Sequence, residues 1–240
     1  MNSKERECAS YESVTDEQLQ DQLNYYRERA PEYDDWWYRR GTFNHGDEAN
    51  RIWFDEVSMV KDAFKAEHFQ GDFLELAAGT GTWSLLFLKE SRTLTVVDGS
   101  VEMLSHNPVV AEPNVRTITA DLFSWSPDQL YDSVAFTFWI SHLPKERLVG
   151  FFTMVSSCLK TGGKMFFVDD REAAGTRESH VVGASGQTMV RKLNNGDHAT
   201  IVKNFFGDKE IEQIAADVGI ELQVHCTPTY FQYGIGSKTV

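Results

Sequence analysis

Cysteine is scarce: Cys8, Cys158 and Cys226 are the only three in 240 residues, far apart and odd in number. No Cys-x-x-Cys pair and no Cys/His metal spacing appears, so neither a disulfide framework nor a zinc module is expected. Long apolar runs are missing as well. None reaches the roughly 18 residues that a membrane-spanning helix needs. The first ten residues lack the basic, apolar, small-residue order of a secretion signal. Reduced thiols and a cytoplasmic location are the expectation. Positive charge is also in short supply, with 23 Lys+Arg against 36 Asp+Glu and a net charge of −13. Such a chain gains little counterion release on a phosphate backbone, so a nucleic-acid partner is not expected. The nearest basic patch, Arg39, Arg40 and Arg51, reads as a solvated face among acidic neighbours.

What is present is ordinary for a globular chain: 41% hydrophobic and 25% charged residues. The length suits one domain with an elaborated end. We divide residues 1–240 into an aromatic, helical segment (1–70), an alternating strand–helix core (71–170) and a closing segment (171–240). No internal repeat is visible, and a monomer and a homodimer both remain open.

The core is the clearest part. Phe73 to Ala77 is a short apolar run that ends at a glycine loop, and Thr82 to Lys89 reads as a helix. TLTVVD (93–98) is β-branched, and a helical pattern follows from Val101 to His106. RTITAD (116–121), DSVAFTFW (132–139) and KMFFVD (164–169) are further strands. Leu148, Val149, Phe152, Val155 and Leu159 form a helical stripe ended by Thr161-Gly162-Gly163. This alternation predicts an α/β fold with a parallel sheet covered on both faces. In the closing segment, Asn194-Asn195-Gly196-Asp197 between extended stretches predicts a hairpin over 188–206. A helix over 208–218 stops at Gly219, and two strands complete the chain.

Glycines at Gly79 and Gly81, between a strand and a helix, let a ligand approach the backbone closely. Ligands of open α/β sheets sit at the carboxyl ends of the strands. Asp98 ends the next strand, where a carboxylate can take two ribose hydroxyls. Asp121 ends the third and can reach an adenine amino group. Two cofactors suit this layout, a nicotinamide dinucleotide and S-adenosyl-L-methionine. The dinucleotide fingerprint requires a third glycine, and Ser84 stands there instead. Glu75 would oppose a pyrophosphate but suits an ammonium group. Asp98 or Asp121 taken alone is better explained as a helix cap after a strand, and only the joint pattern favours a cofactor role.

ELAAGTGTWS, VVDGSVEML, ADLFSW and LKTGGKMFFVDD, taken together, resemble the class I S-adenosylmethionine-dependent methyltransferases of small-molecule type. The likeness spans residues 70–170 and, more loosely, the closing strands. It implies a Rossmann-like seven-stranded, mostly parallel sheet with helices on both faces and an antiparallel last strand. It also implies that Glu75, Ala77, Gly79 and Gly81 surround the methionine end of the cofactor. Asp98 and Gly99 then take the ribose, Met103 lies against the adenine, and Asp121 and Leu122 bracket its edge. Phe138 completes that wall. Ala77 departs from the glycine common in the family. The stretch NYYRERAPEYDDWW resembles the family's N-terminal lid, in which a tyrosine closes over the cofactor, here Tyr26 or Tyr33.

Methyl transfer requires alignment, exclusion of water and, for a hydroxyl acceptor, a base. His142, after the fourth strand, is the candidate base, and Asp169 is a candidate to orient it. Trp36, Trp37, His45, Trp139 and Asp170 are candidates for the acceptor pocket. The expected reaction is methylation of a small molecule, with oxygen favoured over nitrogen or carbon. An NAD(P)-dependent oxidoreductase is the alternative. No metal is expected, although Asp169, Asp170 and His142 together would suit Mg²⁺. The 188–206 hairpin can cover the acceptor pocket or form a dimer surface, and the pocket cover is the favoured expectation.

Overall fold

The computed structural model describes residues 13–172, 181–193 and 196–239. Seven strands form one sheet in the order β3-β2-β1-β4-β5-β10-β9. They are β1 (Asp72–Leu76), β2 (Thr93–Asp98), β3 (Val115–Thr119), β4 (Tyr131–Thr137), β5 (Leu159–Asp170), β9 (Ile220–Cys226) and β10 (Phe231–Lys238). Strands β1 to β5 pair in parallel, and β10 runs antiparallel between β5 and β9. The chain winds outward from β1 to β3 and then returns to β4 on β1's other side. This reversal opens a crevice at the carboxyl ends of β1 and β4, where such sheets bind ligands.

Helices cover both faces. Helix α1 (Asp16–Arg29), α2 (Tyr33–Trp37) and α3 (Asp47–Ala66) precede the sheet, and α4 (Ser84–Lys89) and α5 (Val101–Ser105) follow β1 and β2. Helices α6 (Leu148–Cys158) and α7 (Asp208–Asp217) pack on the opposite face with Phe136, Phe152 and Phe167. Trp53, Val57, Val60 and Phe64 recur at helical spacing on α3 and seal one face against Phe73, Phe87 and Phe166. A reciprocal capping box of Thr15 and Gln18 starts α1. No helix among the described residues is long and apolar enough to cross a membrane.

The structure departs from the sequence expectations in several places. Helix α6 ends at Cys158, so Leu159 leaves the helical stripe and opens β5, and the Thr161–Gly163 stretch lies inside that strand. It forms an irregularity inside β5, where pairing with β4 shifts from Tyr131↔Leu159 to Ser133↔Lys164. Gly162, at φ +76°, takes the backbone conformation this requires. Strand β3 ends at Thr119, two residues before Asp121. The expected hairpin, β7 (Thr188–Lys192) with β8 (His198–Val202), acquires a third strand, β6 (Val181–Ser185). Its turn residues Asn194 and Asn195, and Cys8 as well, lie outside the described residues. Arg39 does not belong to a solvated face. It is buried, its guanidinium 3.8 Å from the Trp53 ring centroid, whereas Arg40 and Arg51 do meet Asp35 and Asp55.

Candidate active site

A cavity of about 410 Å³ opens at the carboxyl ends of β1, β2 and β4, beneath α1. Its size is ordinary for a small-molecule or cofactor site. One wall is the loop after β1. Ala77, Gly79 and Gly81 all have positive φ, at +53°, +53° and +86°. Ala77 therefore holds a left-handed conformation that costs a Cβ-bearing residue roughly 1–2 kcal/mol. Asp98 braces the loop from β2: Gly79 N–H donates to Oδ2 and Ser100 N–H to Oδ1, each at 2.8 Å. Burial raises the Asp98 pKa, and these backbone donors oppose the rise. A Cβ on Gly79 would stand 3.3 Å from Met103 Cε, so the glycine keeps a seat open beside Met103.

Ten of the residues assigned to the cofactor wall line this cavity: Tyr26, Tyr33, Ala77, Gly79, Asp98, Gly99, Met103, Asp121, Leu122 and Phe138. Glu75 and Gly81 lie behind it. A Cβ on Gly81 would fall 2.3 Å from Asn107 Oδ1, so Gly81 serves the close packing of the loop on Asn107. Ser84 is fully buried and receives the Asn107 side-chain amide at 3.0 Å. Its side chain occupies the helix–strand contact that a dinucleotide fingerprint leaves to glycine.

Glu75 is 1% exposed, and neither carboxylate oxygen has a hydrogen-bond partner. Burial, opposed by the nearby Ser84 hydroxyl and reinforced by Asp98, pushes its pKa up from 4.5 to about 8. The folded chain therefore holds a proton there that the unfolded chain releases near its ordinary value. This stabilising contribution is complete below that value and is lost as pH rises through about 8. We expect the melting temperature of the ligand-free protein to fall between about pH 5 and pH 8.5 more steeply than that of Glu75→Gln. Parallel curves would remove Glu75 as the titrating group.

His142 ends a 3₁₀ turn, Ile140–His142, that follows β4. Its Nδ1 lies 2.8 Å from the Val202 carbonyl of β8, which can only accept, so Nδ1 carries the proton. Nε2 is then an acceptor, and the Tyr26 hydroxyl donates to it at 2.9 Å. Burial, and the positive charges of Lys203 and Arg191, hold the His142 pKa well below 6.5, so the ring is neutral. Burial raises the Tyr26 pKa well above 10.0 and keeps the phenol a donor. Asp169 does not touch the imidazole. Fully buried, it accepts from Ser141 N–H at 3.0 Å and thereby holds the turn that presents His142.

The residues assigned to the acceptor separate in space. Trp139 lines the main cavity. Trp36 and Asp170 line a second chamber of about 20 Å³, which shares Tyr26, Tyr33, Phe138 and His142 with the main cavity. Trp37 lines neither. Its ring is buried edge-on to Trp53 and Trp83, because adjacent positions on α2 point in different directions. His45 is exposed and lines a separate surface depression with Asp47 and Tyr230. Among the described residues, no group of three His, Cys, Asp or Glu side chains is placed to hold a metal ion. Asp170 instead pairs with the Lys203 ammonium at 2.7 Å.

Sequence reasoning missed Gln22, Arg29, Arg191 and Lys203. Gln22 Nε2 donates to the His142 carbonyl at 3.2 Å, and its Oε1 accepts from Val202 N–H at 2.9 Å. It thereby ties α1, β8 and the catalytic-side turn together. Gln22, Tyr26 and Arg29 recur at helical spacing, and that polar stripe on a helix facing the sheet was the available signal.

Comparison with known proteins agrees with this geometry. A family model described as a methyltransferase domain matches residues 73–163. The chain is similar to DhpI in two solved complexes, each with a TM-score of 0.77. The "DhpI-SAH complex" is 28% identical, covering 94% of this chain and 98% of that one. The "DhpI-SAM-HEP complex" is 29% identical, covering 93% and 99%. The N-methyltransferase NodS from Bradyrhizobium japonicum WM9, 12% identical with a TM-score of 0.63 over 91% and 100% of the two chains, shares the fold. No curated protein matches the chain. With the braced glycine loop, the strand-end carboxylates and the switch-point cavity all in place, residues 73–163 carry a methyltransferase domain, and the chain as a whole is similar to S-adenosylmethionine-dependent methyltransferases.

Proposed function

We propose that this protein transfers the methyl group of S-adenosylmethionine to a hydroxyl oxygen of a small molecule, with His142 taking the hydroxyl proton. The cofactor is S-adenosylmethionine. The residues present suit it: Asp98 offers two carboxylate oxygens at the cavity wall, and Gly79 leaves room beside Met103. When bound, the cofactor supplies an electrophilic methyl carbon on a sulfonium. The chain's own residues do the rest. The lid residues Tyr26 and Tyr33 roof the cavity and exclude water. Thr80 of the glycine loop donates to Asp34 of α2, which ties the lid to the loop. Asp169 positions the His142 turn through Ser141.

The observation that carries the base reading is the tautomer of His142. With Nδ1–H committed to Val202, Nε2 is a neutral acceptor at the cavity wall, and a hydroxyl already occupies it. The Tyr26 hydroxyl marks where an acceptor hydroxyl, or a hydroxyl relayed through Tyr26, would give up its proton. His142 Nε2 would hold the proton that the acceptor hydroxyl gives up on taking the methyl group that the bound cofactor would supply. A cavity of about 410 Å³ and a net charge of −13 favour a small acceptor over a nucleic acid.

Calorimetric titration with S-adenosylmethionine, S-adenosylhomocysteine and NADH tests the reading. Binding of the first two, without NADH, is expected. Binding of NADH alone would replace methyl transfer with hydride transfer.

A further inference from the structure

The small chamber beside His142 is lined by four formally charged side chains, and three of them are cations: Arg29, Arg191 and Lys203, with Asp170 as the fourth. This is unusual ground in a chain with 36 acidic and 23 basic residues. All three cations are buried, at 5%, 4% and 6% exposure. They come from separate elements: Arg29 from α1, Arg191 from β7 and Lys203 from just beyond β8. Burying a cation costs several kcal/mol unless an anion or good acceptors match it. Lys203 is matched: its ammonium meets Asp170 at 2.7 Å and Ser141 Oγ at 3.1 Å. Asp169, also buried at this end of the sheet, is engaged by the Ser141 and Asp170 N–H groups.

Arg29 is incompletely matched. Its Nη1 donates to Tyr25 OH at 2.8 Å, while Nη2 is buried with no hydrogen-bond partner. The rings of Tyr25, Tyr33 and Phe43, with centroids 5.2–5.6 Å from the guanidinium carbon, surround it. These rings fix its plane but supply no oxygen acceptor for Nη2. A guanidinium held in this way is suited to an oxyanion.

We propose that this chamber is an oxyanion subsite that seats an acid group, carboxylate or phosphoryl in type, carried by the methyl acceptor. The inference rests on the proposed methyl transfer, because the chamber and the cofactor cavity share Tyr26, Tyr33, Phe138 and His142 as a common wall. A space of about 20 Å³ admits one oxygen-sized group. The acid oxygen therefore enters the chamber while the body of the acceptor stays in the larger cavity. Its hydroxyl is then presented to Nε2 of His142. The substrate class is a small hydroxy acid or a phosphorylated alcohol, with the cations supplying orientation as well as affinity.

The probe is inorganic phosphate, titrated calorimetrically into protein saturated with S-adenosylhomocysteine. Phosphate should bind, and its Kd should weaken at least about tenfold in Arg29→Gln and in Lys203→Met. S-adenosylhomocysteine affinity, which also reports folding, should stay within about twofold. Arg29→Lys, which keeps the charge and disturbs the lid least, should recover part of the binding, and Arg191→Gln supplies an independent variant if a replacement fails to fold. Glycerol 3-phosphate or lactate should displace phosphate, while glycerol should not. If the cofactor product binds but phosphate does not, or all variants bind phosphate equally, the subsite is overturned and methyl transfer stands. Phosphate that neither acid displaces would mark a site for a free anion and would also overturn the proposal. If wild-type protein fails to bind S-adenosylhomocysteine, the methyl-transfer reading falls first.

Discussion

Replacing His142 with alanine should lower turnover by about 10²–10⁴-fold while S-adenosylhomocysteine affinity changes less than about twofold. The large effect follows from geometry. Nε2 is the neutral acceptor on this wall, already engaged by the Tyr26 hydroxyl at 2.9 Å. The small effect on the cofactor product follows because the ribose and loop contacts proposed for Asp98 and Gly79 lie on another wall of the cavity. The pH profile provides a second readout. A base must be unprotonated, and burial together with Lys203 and Arg191 holds His142 well below 6.5. The kcat plateau should therefore extend below the ordinary histidine range and fall only at more acidic pH. Tyr26→Phe separates two routes. If Tyr26 only occupies the nitrogen until an acceptor displaces it, kcat should change little. If Tyr26 relays the proton, kcat should fall almost as far as in His142→Ala. Wild-type turnover in His142→Ala would remove the base role altogether.

The second large effect is expected at Asp98. Asp98→Ala should weaken S-adenosylmethionine and S-adenosylhomocysteine binding by roughly 100-fold or more. Two charge-assisted hydrogen bonds, at about 1.5–3 kcal/mol each, amount to about 3 kcal/mol or more, and every 1.4 kcal/mol is tenfold. The same change leaves the Gly79 and Ser100 N–H groups without their acceptors, so the loop loses its brace. The melting temperature should fall by a few degrees at most, because other contacts hold this loop, among them Ala78 N–H to Val97 O at 3.1 Å. Calorimetry with both ligands checks the prediction. Unchanged affinity would exclude Asp98 from the ribose contact.

Both predictions depend on groups that differ in how visible they are from sequence. The position of Asp98 facing the glycine loop was legible because it is set locally. A β-branched strand ends there, a glycine loop faces it from the neighbouring parallel strand, and strand order places the two side by side. The surroundings of His142 were only half legible. Its position after β4 put it at the right end of the sheet, but its tautomer and partner depend on Val202 and Tyr26, 60 and 116 residues away. Asp169 was visible as a strand-end carboxylate, but not as the acceptor for Ser141 N–H. Nothing in composition separates Trp36 from Trp37. The helical rotation of α2 sends one ring to the chamber and the other into the core. His45 looked close to the aromatic lid in sequence, yet α3 begins immediately after it and holds it beside Tyr230.

The sequence by itself determined the periodic parts of the molecule. Strand–helix alternation, the glycine loop and the capping signals act over a few residues, where backbone sterics and burial of one face decide the outcome. These are enough to specify a parallel sheet covered on both faces with a glycine loop at its carboxyl end, whereas the seven-stranded form with an antiparallel last strand was implied by the family resemblance. Tertiary structure alone decided the acceptor end. There Gln22 joins α1 to β8 across 180 residues, and Arg29, Arg191 and Lys203 meet in one chamber. The irregular pairing of β5 and the third strand of the small sheet were likewise set by partners and not by propensity. The physical reason is common to all of these. A buried polar group must find a partner wherever the fold places one, and which groups meet is settled by packing between distant segments.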